Sequence, residues 1–329
     1  MNNDRERIIN FYVELNRSLE APKWVKLSDK DKKHIRNALS ILTVDVLNGC
    51  LFTVAVEDSL TWIGNKTKVD TSSLRSLLTK PPQIYKLIKQ LNVINDERKN
   101  ITTFKLMYTE IDILYIDVPL EKGLELMRYP EKELISMVER YYILQPNGSI
   151  FWSSPPEMYK FLSIKDDECI EVVEGFGSPL NNCEIDAYCS IYDDDKVFGS
   201  IGNFFDQIST RGNINDMGYR RWLINPPFTR KIMDMVYEAV TSRMNYYPKD
   251  EFYFILPYWA PIRLLDLLET RGTVMELKPG SYRLYNHLTG EYFKPPVELI
   301  FASLKADDTR LADASIFMTM SYIDIPMLF

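Results

Sequence analysis

The stretch Arg220-Arg-Trp-Leu-Ile-Asn-Pro-Pro-Phe-Thr-Arg-Lys-Ile-Met-Asp-Met-Val236 decides the reading of this chain. A short apolar run (Trp222, Leu223, Ile224) stops at Asn225-Pro226-Pro227-Phe228, and a helical pattern follows at once. Strand, stiff corner and amphipathic helix in that order define a β-to-α unit. As plain structure, Asn225 is a good helix cap, and proline suits a first helical turn, where its missing N–H costs nothing. As chemistry, the corner can serve a planar amine. An Asn side-chain oxygen and a backbone carbonyl can each accept one N–H of an exocyclic amine. Proline fixes φ near −65° and restricts the residue before it, so the carbonyl is held in place. An aromatic directly afterwards can stack on a flat base.

Outward from the corner, the carboxyl-terminal half keeps alternating. Residues 168–176 (ECIEVVEGF), 251–259 (EFYFILPYW), TVMELKPG and VELIFASL read as strands. TRKIMDMVYEAVTSRM and PIRLLDLLETRG read as helices, the second closed by Gly272. Such alternation implies an α/β domain with a mostly parallel sheet. Residues 1–120 read as mainly helical: DRERIINFYVELNRSL, SDKDKKHIRNALSILTVDVLNGCLF, two short helices around Pro81-Pro82 in DTSSLRSLLTKPPQIYKLIKQLNVI, and then KELISMVERYYIL from Lys132. The expected organisation is a helical domain over 1–150, positioning substrate or RNA, and an α/β domain over 151–329.

The 329 residues are 46% apolar and 26% charged, ordinary values for a globular chain with a sizeable core. No apolar run reaches the roughly 18 residues of a membrane span, and the N-terminus lacks the apolar core of a signal peptide. The four cysteines (Cys50, Cys169, Cys183, Cys189) make no C-x-x-C pair, and the only histidines are His34 and His287. Reduced thiols, no metal and an intracellular setting, nuclear or cytoplasmic, are expected. A net charge of −7 opposes non-specific wrapping of a nucleic-acid backbone. A local basic cluster (Arg211, Arg220, Arg221, Arg230, Lys231, Arg243) is read either as a solvated helix face or as a patch for a short nucleotide feature.

Asn/Asp-Pro-Pro-aromatic resembles the corner of amino-group methyltransferases that use S-adenosylmethionine. Upstream, no G-x-G-x-x-G is present. Instead there is an ordered series: Glu174, Phe176, Gly177, Ser178, Pro179, Leu180 and Asn181; then Tyr188, Cys189 and Ser190; then Phe198, Gly199, Ser200 and Gly202, with Asp206 after them; then the corner; then Pro257 and Trp259. Over roughly residues 170–304 this series resembles the phosphorylated-CTD-interacting-factor family, the cap-specific adenosine N6-methyltransferases. The resemblance implies a Rossmann-like S-adenosylmethionine-dependent methyltransferase domain beside a helical one. The implied substrate is a capped RNA 5′ end, with 7-methylguanosine next to a first, 2′-O-methylated adenosine, and the product is N6,2′-O-dimethyladenosine. Carried over, Asn225, Pro226, Pro227 and Phe228 hold the adenine. Glu174, Phe176, Ser178, Pro179, Asn181, Phe198, Gly199 and Ser200 line the donor, and Asp206 accepts from the donor's adenine amine.

Two departures stand out: no WW module is read ahead of these blocks, and Tyr258 sits where the family tends to have an acid. A small stand-alone version of the enzyme would suit a large DNA virus, working in its factory, or a protist, with other capping proteins as partners. For the substrate, Arg230, Lys231, Trp259, Tyr282 and Arg283 are candidates, the last two within the aromatic and basic segment 278–296. His287 is expected on the surface of a hairpin there, Asp193–Asp195 in a solvated loop, and Cys183 and Cys189 in packing. The alternatives are an adenine N6-methyltransferase of DNA or uncapped RNA, which would flip its base out of a duplex, and a catalytically inactive cap- or RNA-binding subunit.

Overall fold

The structure, a computed structural model, describes residues 27–47, 52–67, 69–79, 90–107, 113–144, 152–164, 168–182, 185–212, 218–258, 262–278, 282–287, 289–295 and 297–305. The helix expected over DRERIINFYVELNRSL, the Pro81-Pro82 break, Cys50, Cys183 and Trp259 lie outside them. The chain divides into two units. One is Met1–Trp152 with Pro179–Asn181 and Asn286–Glu291; the other is Ser153–Ser178, Asn182–Tyr285 and Tyr292–Phe329.

Among the described residues, the first unit opens with helices α1 (Asp29–Leu47), α2 (Phe52–Lys66) and α3 (Thr71–Thr79). The start of α1 follows from its sequence. Ser28 Oγ accepts the Asp31 amide at 3.1 Å and donates to the Asp31 carboxylate at 2.7 Å, satisfying an end that has no helical partner. Its apolar face buries Ile35, Leu39 and Leu42 with Val56, Leu60 and Ile63 of α2 and Leu74 of α3. The expectation of helix through residue 120 fails after that. Strands β1 (Gln90–Asp96), β2 (Ile101–Met107) and β3 (Ile113–Pro119) form an antiparallel sheet in the order β1-β2-β3. The period of Ile-Thr-Thr-Phe-Lys-Leu-Met is two: Thr102, Phe104 and Leu106 are buried and the residues between them are half-buried. The β1–β2 turn is built by Asp96, whose carboxylate accepts the amides of Arg98 and Lys99, and by Asn100 at φ 54°. Helices α4 (Leu120–Leu126) and α5 (Glu131–Leu144) follow the sheet.

The remaining elements are β4 (Trp152–Ser153), α6 (Pro156–Leu162), β5 (Cys169–Glu174), β6 (Ala187–Tyr188), a 3₁₀ turn (Asp193–Phe198), α7 (Phe204–Thr210), β7 (Tyr219–Ile224), α8 (Arg230–Tyr246), β8 (Glu251–Pro257), α9 (Arg263–Arg271), β9 (Thr273–Leu277), β10 (Leu284–Asn286), β11 (Glu291–Phe293) and β12 (Leu299–Lys305). The second unit is built on a six-stranded sheet in the order β6-β5-β7-β8-β12-β9. Strands β6, β5, β7 and β8 are parallel; β12 runs antiparallel to both β8 and β9. The α/β expectation therefore holds, with an antiparallel pair at one edge. Every residue of β7 and β8 is buried, Arg220, Arg221 and Glu251 included, as strands in the middle of a covered sheet should be.

Two arginines inside β7 need partners at that depth. Arg221 Nε lies 3.1 Å from Glu251, and its Nη1 donates to the carbonyls of Leu162 and Ile164. Arg220 Nε stands 3.4 Å from Glu171, which also takes Arg211 Nε at 2.7 Å. Asp250 holds a third group: its carboxylate accepts the Arg220 amide at 2.8 Å, the Trp222 indole at 3.0 Å and Arg243 Nε at 2.8 Å. The basic cluster read from the sequence is thus neither a solvated face nor a patch. Four of its six members are consumed by carboxylates, and only Arg230 and Lys231 are exposed.

Candidate active site

From β5 the chain moves to β6 on one side and then returns past β5 to β7 on the other. This reversal is a switch point, and ligands of open α/β sheets bind beyond the carboxyl ends of the strands at such a point. Register puts the strand ends together: Glu174 pairs with Tyr188 on one side and Leu223 on the other. The loop leaving Glu174 and the corner leaving Ile224 therefore emerge side by side. Main-chain bonds tie them, from Gly175 N–H to the Leu223 carbonyl (2.8 Å) and from Cys189 N–H to the Glu174 carbonyl (2.7 Å).

At the corner, Pro226 is buried and Asn225, Pro227 and Phe228 are half-buried. Asn225 is not the helix cap. Helix α8 starts only at Arg230, and Thr229 caps it by accepting the Ile232 amide at 3.3 Å. The prolines are correspondingly outside the helix's first turn. The Pro227 carbonyl accepts the Thr229 amide at 2.7 Å, which leaves the Pro226 carbonyl as the proline acceptor that no described residue takes up. Four residues are thus interposed between strand end and cap, more than a simple corner requires.

The loop after β5 is tightly confined. A Cβ on Gly175 would stand 2.8 Å from the Phe204 ring, and one on Gly177 3.0 Å from both Glu174 Oε2 and the Tyr188 ring. Phe176 packs on Phe204 (centroids 4.7 Å apart), which meets Trp222 edge-on at 6.1 Å. Ser178 is buried, as are Pro179, Leu180 and Asn181, which belong to the first unit. After β6, the Tyr188 hydroxyl donates to the Phe198 carbonyl at 2.9 Å, and Ser190 Oγ donates to Asp195. Asp195 is therefore buried, unlike Asp193 and Asp194, so the acidic run is only partly the solvated loop expected. Gly199 takes φ 95° and is exposed between buried Phe198 and Ser200; Asp206 is exposed in the first turn of α7, capped by Asn203. Burial raises the Cys189 thiol well above its ordinary range, which suits packing and not nucleophilic work.

Arg230 and Lys231 are exposed immediately after the corner. Arg283 is half-buried, and the Tyr282 hydroxyl lies 3.1 Å from Met158 Sδ, its pKa raised by burial. Tyr258, at the end of β8, is 40% exposed and donates to Glu269 at 3.3 Å. His287 is not on a hairpin surface: it is 7% exposed, and burial, with the charge of Lys122 added, pushes its pKa down to about 3. Sequence reasoning also missed Tyr159, whose hydroxyl donates to Glu174 Oε1 at 2.9 Å. Nothing in the local pattern of α6 marks it, because the partner lies fifteen residues away on another element.

Fold and site together define an α/β protein with an Asn-Pro-Pro-Phe corner and a confined glycine loop at the switch point of its sheet. Residues 121–271 match the family model described as "Phosphorylated CTD interacting factor 1 WW domain". Over that stretch, a little under half of its length, the chain is similar to the phosphorylated-CTD-interacting-factor family. The matched stretch runs from α4 to the end of α9, taking in β5 to β8 and the corner, and begins well before the blocks that carried the resemblance. No curated protein matches the chain. Among the described residues, no helix is long and apolar enough to cross a membrane.

Proposed function

We propose that this protein is an RNA-cap methyltransferase, transferring a methyl group from S-adenosylmethionine to the N6 amine of the adenosine beside a 7-methylguanosine cap. The observation that carries the reading is the corner. Its helix cap is deferred to Thr229, and the Pro226 carbonyl and Asn225 sit together just beyond the central parallel strand. In this mechanism the Asn225 side-chain oxygen and the Pro226 carbonyl accept the two N6 hydrogens, turning the nitrogen lone pair toward the donor. Phe228 stacks on the adenine. As the N–CH₃ bond forms, one N6 proton passes to solvent. The contribution of the protein is orientation and fixed dipoles, with no strong base needed.

The donor supplies an electrophilic methyl on a sulfonium that leaves as a thioether. Its candidate holders are Glu174, Phe176, Ser178, Pro179, Asn181, Phe198, Gly199, Ser200 and Asp206. The residues suit it in one testable respect: Gly175 and Gly177 keep the loop after β5 close against Phe204, Glu174 and Tyr188, where a side chain would be crowded. Arg230, Lys231, Trp259, Tyr282 and Arg283 are the candidates for contact with the cap and its phosphates.

The test is methyl transfer to capped RNA starting with 2′-O-methyladenosine, the same RNA uncapped, and duplex DNA carrying adenine. Capped RNA should be strongly preferred, with the label recovered as N6,2′-O-dimethyladenosine. Equal transfer to uncapped RNA or DNA would replace this reading with a general adenine N6-methyltransferase. Calorimetry with S-adenosylhomocysteine separates the enzyme from an inactive cap-binding subunit, which would give no heat.

A further inference from the structure

Glu174 is held at its main chain and, through one oxygen, at its carboxylate head. Its main chain is tied to Cys189 of the β6 exit (2.7 Å), and the next amide to Leu223 of β7 (2.8 Å). Its head is held as well. Oε1 accepts the Tyr159 hydroxyl at 2.9 Å, and Oε2 occupies the space that a side chain at residue 177 would need, 3.0 Å from the position of that Cβ. Both Glu174 and Tyr159 are 3% exposed. Tyr159 is carried by α6, a short helix just upstream of β5, opened by Pro155-Pro156. The terminal torsion of a glutamate is soft and roughly two-fold. A carboxylate at a strand end would ordinarily sample many orientations, and here the Tyr159 hydroxyl favours one of them, with room left at residue 177.

A buried carboxylate is expensive to keep charged unless hydrogen bonds or a cation support it. The tyrosine O–H supports the ionised form. The location, at the end of the parallel strand next to the switch point, is where a bound ligand would meet it. Resting on the donor reading above, the complementary group is the primary ammonium at the amino-acid end of S-adenosylmethionine.

We infer that Tyr159 is a positioning residue for donor binding: it orients the Glu174 carboxylate, with Gly177 leaving the room, to receive the ammonium head of the donor. The hydroxyl acts through Glu174 and touches no reacting atom. Its removal should therefore change recognition of the head group and not the transfer step.

The experiment compares Tyr159→Phe with the unaltered full chain, using two probes in calorimetry. S-adenosylhomocysteine carries the ammonium head; 5′-methylthioadenosine has the same nucleoside and thioether without it. The variant should bind S-adenosylhomocysteine about tenfold more weakly, the scale of one hydrogen bond to a charged group. Its affinity for 5′-methylthioadenosine should not change. In turnover, KM for the donor should rise and kcat stay. Glu174→Gln should lose the same selectivity between the two probes, and Tyr159→Phe should add nothing in its background. Equal weakening toward both probes would make Tyr159 a packing residue and overturn the inference, as would no change toward either. If the unaltered protein binds neither probe, the donor reading itself is wrong and the inference goes with it. If it binds both and the variant matches it, only the inference falls. Unfolding curves confirm that the variant is folded, since Phe keeps the buried ring.

Discussion

Asn225 and Thr229 divide between them two tasks that one residue could have combined. Because Thr229 and not Asn225 caps α8, the loss of Asn225 leaves that helix cap in place and should weigh on chemistry. Asn225→Ala is expected to reduce methyl transfer by about 100-fold or more, the scale seen when one aligned electrostatic partner is removed. Its urea midpoint should stay close to that of the parent. Near-normal turnover would refute the acceptor mechanism. Thr229→Ala should behave in the opposite sense, costing about 1 kcal/mol of stability through the lost cap, with turnover affected less than by the Asn225 change.

His287 offers a pH test at the same scale. Its folded pKa, about 3, lies below the ordinary value of 6.5, so the folded chain keeps the ring neutral. As pH falls below about 6.5, the unfolded chain binds the proton first, and this group's contribution to stability is lost down towards pH 3. His287→Gln cannot titrate, so its denaturation midpoint should fall less between pH 7 and pH 5 than that of the parent. Identical slopes would show that the histidine is accessible in the fold.

At the scale of elements, β7 is held at both ends by different physics. Its carboxyl end is tied by the Gly175 bond and runs into the proline corner. Its amino end is tied by Asp250, which joins the Arg220 amide, the Trp222 indole and Arg243 across β7, β8 and α8. Arg243 is lowered from its ordinary pKa by burial, against which Asp250 works, so the pair is a desolvated one. Asp250→Ala leaves a buried guanidinium without its main partner and should cost about 3–5 kcal/mol, measured by urea unfolding. A change under about 1 kcal/mol would mean that the pair is solvated and its role minor. None of this was readable from RRWLIN. A buried arginine and an exposed one look alike in sequence, and the partners stand about thirty residues away. The sheet β1-β2-β3 was missed for a related reason. Its second strand has a clear period of two, but its first, Gln-Leu-Asn-Val-Ile-Asn-Asp, follows a helical pattern and buries no residue fully on its own.

The whole molecule is acidic, and the basic cluster around the corner was read either as a solvated helix face or as a patch for a short nucleotide feature. With Arg211, Arg220, Arg221 and Arg243 engaged internally, Arg230 and Lys231 are what remains of that cluster for phosphates. Affinity for short capped RNA should therefore depend weakly on salt. A slope of log K on log salt of about −1.4 fits two phosphate contacts on a single strand, and about −4 would require six. A steep slope would restore the patch and place the arginines outside. What the sequence determined by itself is local: the alternation that makes an α/β domain, the ordered blocks, and the proline corner, whose stiffness is covalent and needs no neighbours. What only the tertiary structure decided is pairing: which residue caps α8, which arginines are spent on carboxylates, which tyrosine orients Glu174, and that β5 and β7 are neighbours at all. Those depend on groups brought together across the sheet, where burial makes an unmatched charge or donor too costly to leave, and no local pattern records who the partner is.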